Sequence, residues 1–373
     1  MTIGLVIGVL LRATIVFGQP ADPQRTAVVI EALSRLSSEQ INGNPKLQAA
    51  LKKVLEATRG TAQFVELSRK FHVTNESPAL LEIAIQNSTN ATGTDALRLI
   101  FENGDVGLLR NSLQGTNIAS ASNLAEALGN LGEKKSVPLL EPLVTDLHRD
   151  TALRKHVVHA LAQTQEGALA LLSLAREGRI GADINMVTSI ELNSARWPTI
   201  KNEAAQLLPL PLGKNAQPLP SIADLAKRKG DADHGAEVFA RPEVGCMNCH
   251  QVNGKGVDFG PNLSEIGTKL GKDALYQAIL DPSAGISFGY EAWQIELKNG
   301  DEVFGLIVSE TAEEAAVKSQ TGIVSRYKKA DIAKRQMTKT SVMPSGLQQT
   351  MSIEDLIDLV EYLSALRKPL GQN

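Results

Sequence analysis

One five-residue run, Cys246-Met247-Asn248-Cys249-His250, contains both cysteines of the 373-residue chain and constrains how the residues around it must fold. Two thiols at this spacing, followed by a histidine, form the attachment signature of a c-type haem. Each thiol adds to one vinyl group of the haem, and the imidazole of His250 binds the iron as fifth ligand. A thioredoxin-like thiol pair needs a strand before it, whereas Pro242 and Gly245 precede this motif. A zinc site needs two further ligands, of which only His234 lies near, so we predict one covalent haem c.

The composition excludes several classes of protein. The 38 Lys and Arg residues are balanced by 41 Asp and Glu residues, for a net charge of -3, so we expect no nucleic-acid partner. Aromatic residues make up only 4%, too few for the regular motifs of a β-propeller. Two cysteines can form neither a disulfide scaffold nor a zinc site of four thiolates.

The N-terminal segment predicts export, because bacteria attach c-type haem outside the cytoplasm. Residues 2–17 are mostly apolar, and Val16-Phe17-Gly18 fits a cleavage site before Gln19. The segment lacks an early positive charge and is interrupted by Arg12, so residues 1–18 are a signal peptide or an uncleaved anchor. We expect a periplasmic protein that contacts the membrane only if this segment is uncleaved. No other stretch approaches the roughly 18 apolar residues of a membrane span.

Residues 25–208 show helical periodicity with a weak repeat of roughly 30 residues. The repeated positions are Leu33, Leu67, Leu99, Leu128, Leu161 and Leu192. Helix pairs at this period predict an α-solenoid of HEAT type, with an irregular helical bundle as the alternative. In the clearest unit we expect a turn at Gln165-Glu166-Gly167 between two helices. A Pro-rich linker at residues 209–220 then leads to a haem-binding domain at residues 221–373.

The haem-binding domain combines helices with a small β insertion. Helices are predicted at residues 221–229, 232–240 and 272–280, and a capping box at Ser352–Asp355 opens a final helix. An antiparallel insertion at about residues 290–330 is indicated by alternating apolar residues from Trp293 to Leu297 and by the hairpin signal Asn299-Gly300. We expect its later strands at residues 303–308, 316–319 and 323–327. The predicted fold is therefore mainly α, a HEAT-like solenoid followed by a haem-binding domain with a small antiparallel β insertion.

Gly235 lies on the first helix of this domain and Tyr362 on the last. They resemble the Gly and the aromatic residue at which the crossing helices of class I cytochromes c pack, and the resemblance implies a class I-like cytochrome c domain. The resemblance implies that the Pro261 carbonyl, in Gly260-Pro261-Asn262-Leu263, accepts a hydrogen bond from His250 and orients its ring. It also implies that a late methionine binds the iron as sixth ligand. Met343 lies in the loop before the last helix and is the candidate, with Met337 and Met351 as rivals.

Residues 221–368 also resemble the haem-binding domain of Planctomycetes and Verrucomicrobia proteins. The shared sequence segments are the start of the domain around Gly230-Asp231, the haem motif, Val257–Gly267, Ile279–Ser283, Gly305–Thr311 and Met343-Pro344-Ser345-Gly346-Leu347. Members often carry HEAT-like helices upstream, and often a sugar-dehydrogenase-like propeller before them. These 373 residues show no propeller, so the resemblance implies no dehydrogenase activity of this chain.

A His/Met pair fills both axial positions of the iron and predicts an electron carrier rather than an enzyme. We expect redox partner proteins, with a dehydrogenase as donor and a cytochrome or oxidase as acceptor. The alternative is a scaffold whose solenoid binds a protein partner while the haem acts as a sensor.

Two weaker patterns remain open. The basic stretch from Arg326 to Lys339 is either a docking site for an acidic redox partner or a solvated strand and turn. His156 and His159, three residues apart on one helix, are interpreted as surface or packing residues rather than as metal ligands.

Overall fold

The computed structural model describes residues 23–210, 219–242 and 244–367. The predicted signal segment and residues 211–218 of the predicted linker lie outside this part. The chain divides into two compact units between Glu76 and Ser77, so the division does not follow the predicted domain boundaries. Within the described ranges, no helix has the length and apolar character required to cross a membrane.

The first unit is helical. Its helices are α1 (Pro23–Ser34), α2 (Ser38–Asn42), α3 (Pro45–Thr58) and α4 (Ala62–Lys70). Polar side chains fix where they begin: Ser37 forms a capping box with Gln40, while Asn44 and Thr61 each accept backbone N–H bonds of the following helix. These caps satisfy donors that a helix N-terminus otherwise leaves without partners.

The second unit begins with nine helices in two layers. They are α5 (Ser77–Gln86), α6 (Ala91–Glu102), α7 (Val106–Leu113), α8 (Ile118–Leu131), α9 (Val137–Thr145), α10 (Thr151–Ala162), α11 (Gln165–Arg176), α12 (Ala182–Asn193) and α13 (Pro198–Leu207). Helices α6, α8, α10 and α12 pack side by side in one layer, and the odd-numbered helices α5 to α13 form the other.

The leucine repeat coincides with the first of these layers. Leu99, Leu128, Leu161 and Leu192 lie in α6, α8, α10 and α12, and all four are buried. Gly129 lets α8 approach α10 closely, since a Cβ there would lie 2.6 Å from the Cα of Ala160. Two layers of packed helices are compatible with an α-solenoid and with an irregular bundle, so the α-solenoid and its HEAT type stay predictions.

The predicted turn at Gln165-Glu166-Gly167 is wrong, because these residues form the first turn of α11. The helix starts there because the Thr164 hydroxyl accepts the Gly167 N–H at 3.1 Å. Gly167 marks a close approach instead of a turn, since a Cβ would lie 2.2 Å from the carbonyl oxygen of Leu161.

The C-terminal part of this unit places the haem motif between helices. They are α14 (Ile222–Ala226), α15 (Ala232–Ala240), α16 (Ile266–Lys269), α17 (Lys272–Leu280) and α18 (Ile353–Ala365). The capping box predicted at Ser352 and Asp355 is present and opens α18. Helices α15 and α18 cross closely, with the rings of Phe239 and Tyr362 5.8 Å apart.

A five-stranded antiparallel sheet lies between α17 and α18. Its strands are β1 (Ala292–Leu297), β2 (Glu302–Glu310), β3 (Glu314–Lys318), β4 (Val324–Lys328) and β5 (Ile332–Met337), in the order β4-β3-β2-β1-β5. Four strands were predicted, and β5 extends the insertion beyond residue 330. In the hairpin between β1 and β2, Gly300 adopts a φ of 81°.

The sheet is strongly curled. In a flat sheet β4 and β5 would lie roughly 19 Å apart, four strand spacings. A single 3-10 turn, Lys329–Asp331, joins them and advances only about 2 Å per residue. The two outer strands must therefore approach each other. Glu310 at the end of β2 stabilises this approach of the outer strands, since it pairs with Lys329 at 2.7 Å and Arg335 at 2.8 Å.

The helical layers contact this sheet directly. Arg98 on α6 stacks over the Tyr327 ring of β4, with its guanidinium carbon 5.8 Å from the ring centre. The ammonium group of Lys134 donates to the Gly300 carbonyl at 3.2 Å. Helices and sheet are therefore neighbours within one compact unit.

A substitution of Gly235 tests the helix crossing. A Cβ there would lie 2.0 Å from the backbone oxygen of Asp358 and 2.8 Å from the Cβ of Tyr362. We expect Gly235→Ala to lower the free energy of unfolding by about 1–3 kcal/mol, because backbone atoms cannot yield to the methyl group. Denaturant unfolding measures this. The control Gly107→Ala, at a helical site with no atom within 4 Å, should not destabilise the protein.

A second prediction concerns pH and the same crossing. His234 on α15 lies 2.7 Å from Asp358 and 2.9 Å from Arg241, which itself pairs with Asp355. The hydrogen bond to Asp358 raises the pKa of His234 above its usual 6.5. The resulting stabilisation is complete below pH 6.5 and is lost as the pH rises through the raised value. We expect the free energy of unfolding of the wild type to exceed that of His234→Gln, and this difference should be larger at about pH 5.5 than at about pH 8. Equal differences at both pH values would contradict this.

Candidate functional site

A cavity of about 520 Å³ lies in the second unit and is lined by residues from both of its parts. The cytochrome-like part contributes the haem motif and the loops that follow it. These residues include Cys246, Cys249, His250, Gly260, Pro261 and Met343. The helical part contributes a second wall from α8, α10, α12 and the turn before α13. The cavity therefore has two walls that are distant in sequence.

The haem motif begins on a short 3-10 turn, Cys246–Asn248. Gly245 precedes it with a φ of 76°, a left-handed conformation that glycine adopts without strain. The backbone carbonyl of Cys246 accepts the N–H groups of Cys249 at 3.2 Å and His250 at 3.0 Å. This compact turn places both thiols and the imidazole on the same cavity.

His250 is oriented by a backbone carbonyl. Its Nδ1 lies 2.7 Å from the Pro261 oxygen, so the hydrogen bond implied by the cytochrome resemblance is present. A carbonyl can only accept, so Nδ1 carries the proton and Nε2 keeps its lone pair, the form that binds a metal. Burial lowers the pKa of His250, against the opposing effect of the Pro261 hydrogen bond, and so favours the neutral ring.

Gly260 brings the chain close to the imidazole face. A Cβ at this position would lie 2.6 Å from Cε1 and 2.9 Å from Nδ1 of His250. The backbone N–H of Gly260 donates to the Cys249 carbonyl at 2.6 Å, which ties the Gly260-Pro261 segment to the motif. The missing side chain is therefore what lets the Pro261 carbonyl reach the ring.

The two thiols are held in an apolar environment. Burial raises the pKa of Cys246 to about 12 and that of Cys249 to about 11. Thiols with such values are protonated at neutral pH and react slowly. They form no disulfide with each other.

The candidate methionines differ in their placement. Met343 lines the cavity that His250 also lines, and its backbone N–H donates to Ser341. Met351 also lines the cavity and is 6% exposed. Met337 lies on β5, is 49% exposed and does not line the cavity. Two of the three methionines therefore share the cavity with His250.

The second wall was missed by the sequence analysis. It includes Arg196 and Trp197, in the turn between α12 and α13, and His159 on α10. His159 hydrogen-bonds Glu191 at 2.8 Å, which with nearby carboxylates raises its pKa against the opposing effect of burial. Burial lowers the pKa of Arg196 to about 10, so it is still a cation at neutral pH. The sequence Arg196-Trp197 does not by itself predict a place in this cavity, because no motif or periodicity relates it to residues 246–250.

The residues around the cavity fit a covalent haem. Two thiols on one turn, a neutral imidazole with a free Nε2 and a cavity of this volume are what haem c requires. Among the described residues no group of three or more His, Cys, Asp or Glu is arranged to hold a metal ion by itself. His156 and His159 belong to no such group.

Comparison with known families agrees with this donor set. Residues 232–295 match the cytochrome c family. The match covers about a sixth of the chain, from α15 into β1, and includes the haem motif and Pro261. This part of the chain is a cytochrome c domain, with covalently bound haem c and its iron. Cytochrome c domains serve in general as haem-based electron carriers. No curated protein matches the chain.

A substitution of Gly260 tests how His250 is held. We expect Gly260→Ala to push the imidazole away from Pro261 and to weaken the iron–imidazole bond on the order of 10–100-fold, a typical cost of losing an outer hydrogen bond. In holoprotein, the low-spin spectrum should give way to a high-spin spectrum at a higher pH during acid titration. Gly285→Ala is the control, because no atom lies within 4 Å of a Cβ at that cavity position. Identical titrations would contradict the prediction.

Proposed function

We propose that this chain is an exported, single-haem c-type cytochrome that transfers electrons from a dehydrogenase to a cytochrome or oxidase. The observation that carries the proposal is that His250 and Met343 line the same cavity of a cytochrome c domain. If His250 and Met343 both hold the iron, the bound haem would supply electron exchange and would leave no position for a substrate.

The chain's own residues prepare each side of the site. His250 supplies Nε2, and the Pro261 carbonyl fixes the orientation of its ring. Met343 supplies a thioether from a loop stiffened by Pro344. When bound, haem provides the one-electron Fe(III)/Fe(II) couple. Buried apolar side chains, among them Phe239, Leu359 and Leu363, line part of the cavity and would limit rearrangement of solvent during electron transfer.

Two general properties of haem c proteins support export. Haem c is attached outside the bacterial cytoplasm, and cytochrome c domains are typically exported or periplasmic. A one-electron carrier needs a donor and an acceptor, for which we propose a dehydrogenase and a cytochrome or oxidase. Within the basic stretch, Lys329 and Arg335 are paired with Glu310, which reduces the positive charge offered to an acidic partner.

Removal of the Met343 thioether tests the axial ligand. We expect Met343→Ala holoprotein to lose the Met–iron(III) charge-transfer band. Its reduction potential should fall on the order of 0.1 V, within the ~0.8 V range that axial ligands span. Optical spectroscopy and potentiometry measure the two effects.

The rival methionines provide matched controls. Met337→Ala should leave both the band and the potential unchanged, because Met337 is on β5 and outside the cavity. Met351→Leu keeps a buried apolar side chain and should also retain the band. A band that survives Met343→Ala but disappears in Met351→Leu would assign the ligand to Met351.

Carbon monoxide discriminates the carrier from a haem sensor carried on a helical scaffold. Reduced protein with two axial ligands should bind carbon monoxide slowly, since a ligand must first leave. Fast binding in the wild type would favour the sensor, for which the helices would bind the responding protein.

A further inference from the structure

The helical wall of the cavity carries a cation, Arg196, that is held by aromatic rings. Its guanidinium carbon lies 4.1 Å from the centre of the Trp197 ring and 4.6 Å from that of Phe304. Trp197 precedes α13 and Phe304 belongs to β2, so an aromatic ring from the helical layers and one from the sheet both contact the Arg196 side chain. Stacking of this kind fixes the plane of a guanidinium but does not neutralise its charge.

The polar contacts of Arg196 are few and long. Its two terminal nitrogens lie 3.4 Å from the Gln163 carbonyl oxygen, and one lies 3.5 Å from the side-chain oxygen of Gln320. Protein hydrogen bonds usually measure about 2.7–3.2 Å. Both acceptors are neutral. Over the described ranges, no carboxylate forms an ion pair with Arg196, and Glu302 acts on it only at longer range. A half-buried guanidinium is therefore left without a counter-ion.

Two other arginines of the unit show how a withdrawn cation is usually accommodated. Arg154 is 2% exposed and pairs with Asp183 at 2.6 Å. Arg98 pairs with Asp95 at 3.0 Å and Glu133 at 3.1 Å, and it also stacks on an aromatic ring. A desolvated charge is costly without such a partner. Arg196 differs from both because it lines a cavity, and the missing anion can come from what the cavity binds.

Haem offers that anion. It carries two propionate carboxylates on the edge opposite its vinyl groups, and the vinyl edge is the one that Cys246 and Cys249 hold. We propose that Arg196 pairs with a haem propionate, so that the helical layers complete the haem site of the cytochrome c domain. Of the basic residues that line the cavity in the described chain, His159 is bonded to Glu191 and His250 to Pro261, which leaves Arg196 for this role.

This inference rests on the covalent haem c and does not depend on Met343 as the sixth ligand. An arginine paired with a propionate keeps that carboxylate ionised at mildly acidic pH. The charge near the iron then stays constant with pH, and so does the part of the reduction potential that the propionate sets. Without the cation, the propionate takes up a proton more readily when the iron is reduced.

The experiment compares full-length holoproteins of wild type, Arg196→Gln and Arg98→Gln by potentiometry from mildly acidic to neutral pH. We expect Arg196→Gln to have a lower potential at neutral pH and to gain a pH dependence at mildly acidic pH. Arg98→Gln is the matched control, since it also removes a stacked arginine that joins helix and sheet but lies outside the cavity. It should behave like the wild type.

If Arg196→Gln does not accumulate as holoprotein, Arg196→Met removes the charge while keeping a long side chain over the rings. A potential and pH profile equal to those of the wild type in either variant would overturn the proposal. Equal shifts in Arg196→Gln and Arg98→Gln would also overturn it, because a loosened interface would then explain both. The Met–iron(III) band, recorded on the same samples, reports on Met343 separately.

Discussion

The contact between the Pro261 carbonyl and Nδ1 of His250 is the constraint that orders the site. It fixes the tautomer of the ring and so decides which nitrogen is left for iron. The contact exists because Gly260 has no side chain to hold the segment off the imidazole, and because the Gly260 N–H is bonded back to Cys249. These bonds therefore hold the haem motif, its 3-10 turn and the Pro261 carbonyl together, and the other residues of the cavity pack around them.

Local sequence signals predicted much of the cytochrome-like part. Helices over residues 232–240 and 272–280 are found as predicted, as is the capping box at Ser352 and Asp355. In each case the deciding interaction spans only a few residues, a cap or an apolar face, so a single sequence contains it. The prediction of the haem motif rests on the same kind of short-range spacing.

Features that depend on distant partners were not predicted. Strand β5 is almost wholly exposed and rich in charge, so its sequence shows no alternation; it is a strand because it pairs with β1. The second wall of the cavity depends on packing between segments about 50 to 120 residues apart. Arg196 and Trp197 carry no periodic signal that relates them to the haem motif, and only the assembled fold reveals their position.

The two-walled cavity also has a consequence for biogenesis. The ligation machinery must hold haem and the Cys246–His250 segment at the same time, and residues of the helical wall line the cavity that Cys246, Cys249 and His250 also line. Thioether formation before the helical wall docks would leave the two thiols most accessible to that machinery. The helices precede the motif in the chain, so in an exported protein they would reach the periplasm before the segment that receives the haem.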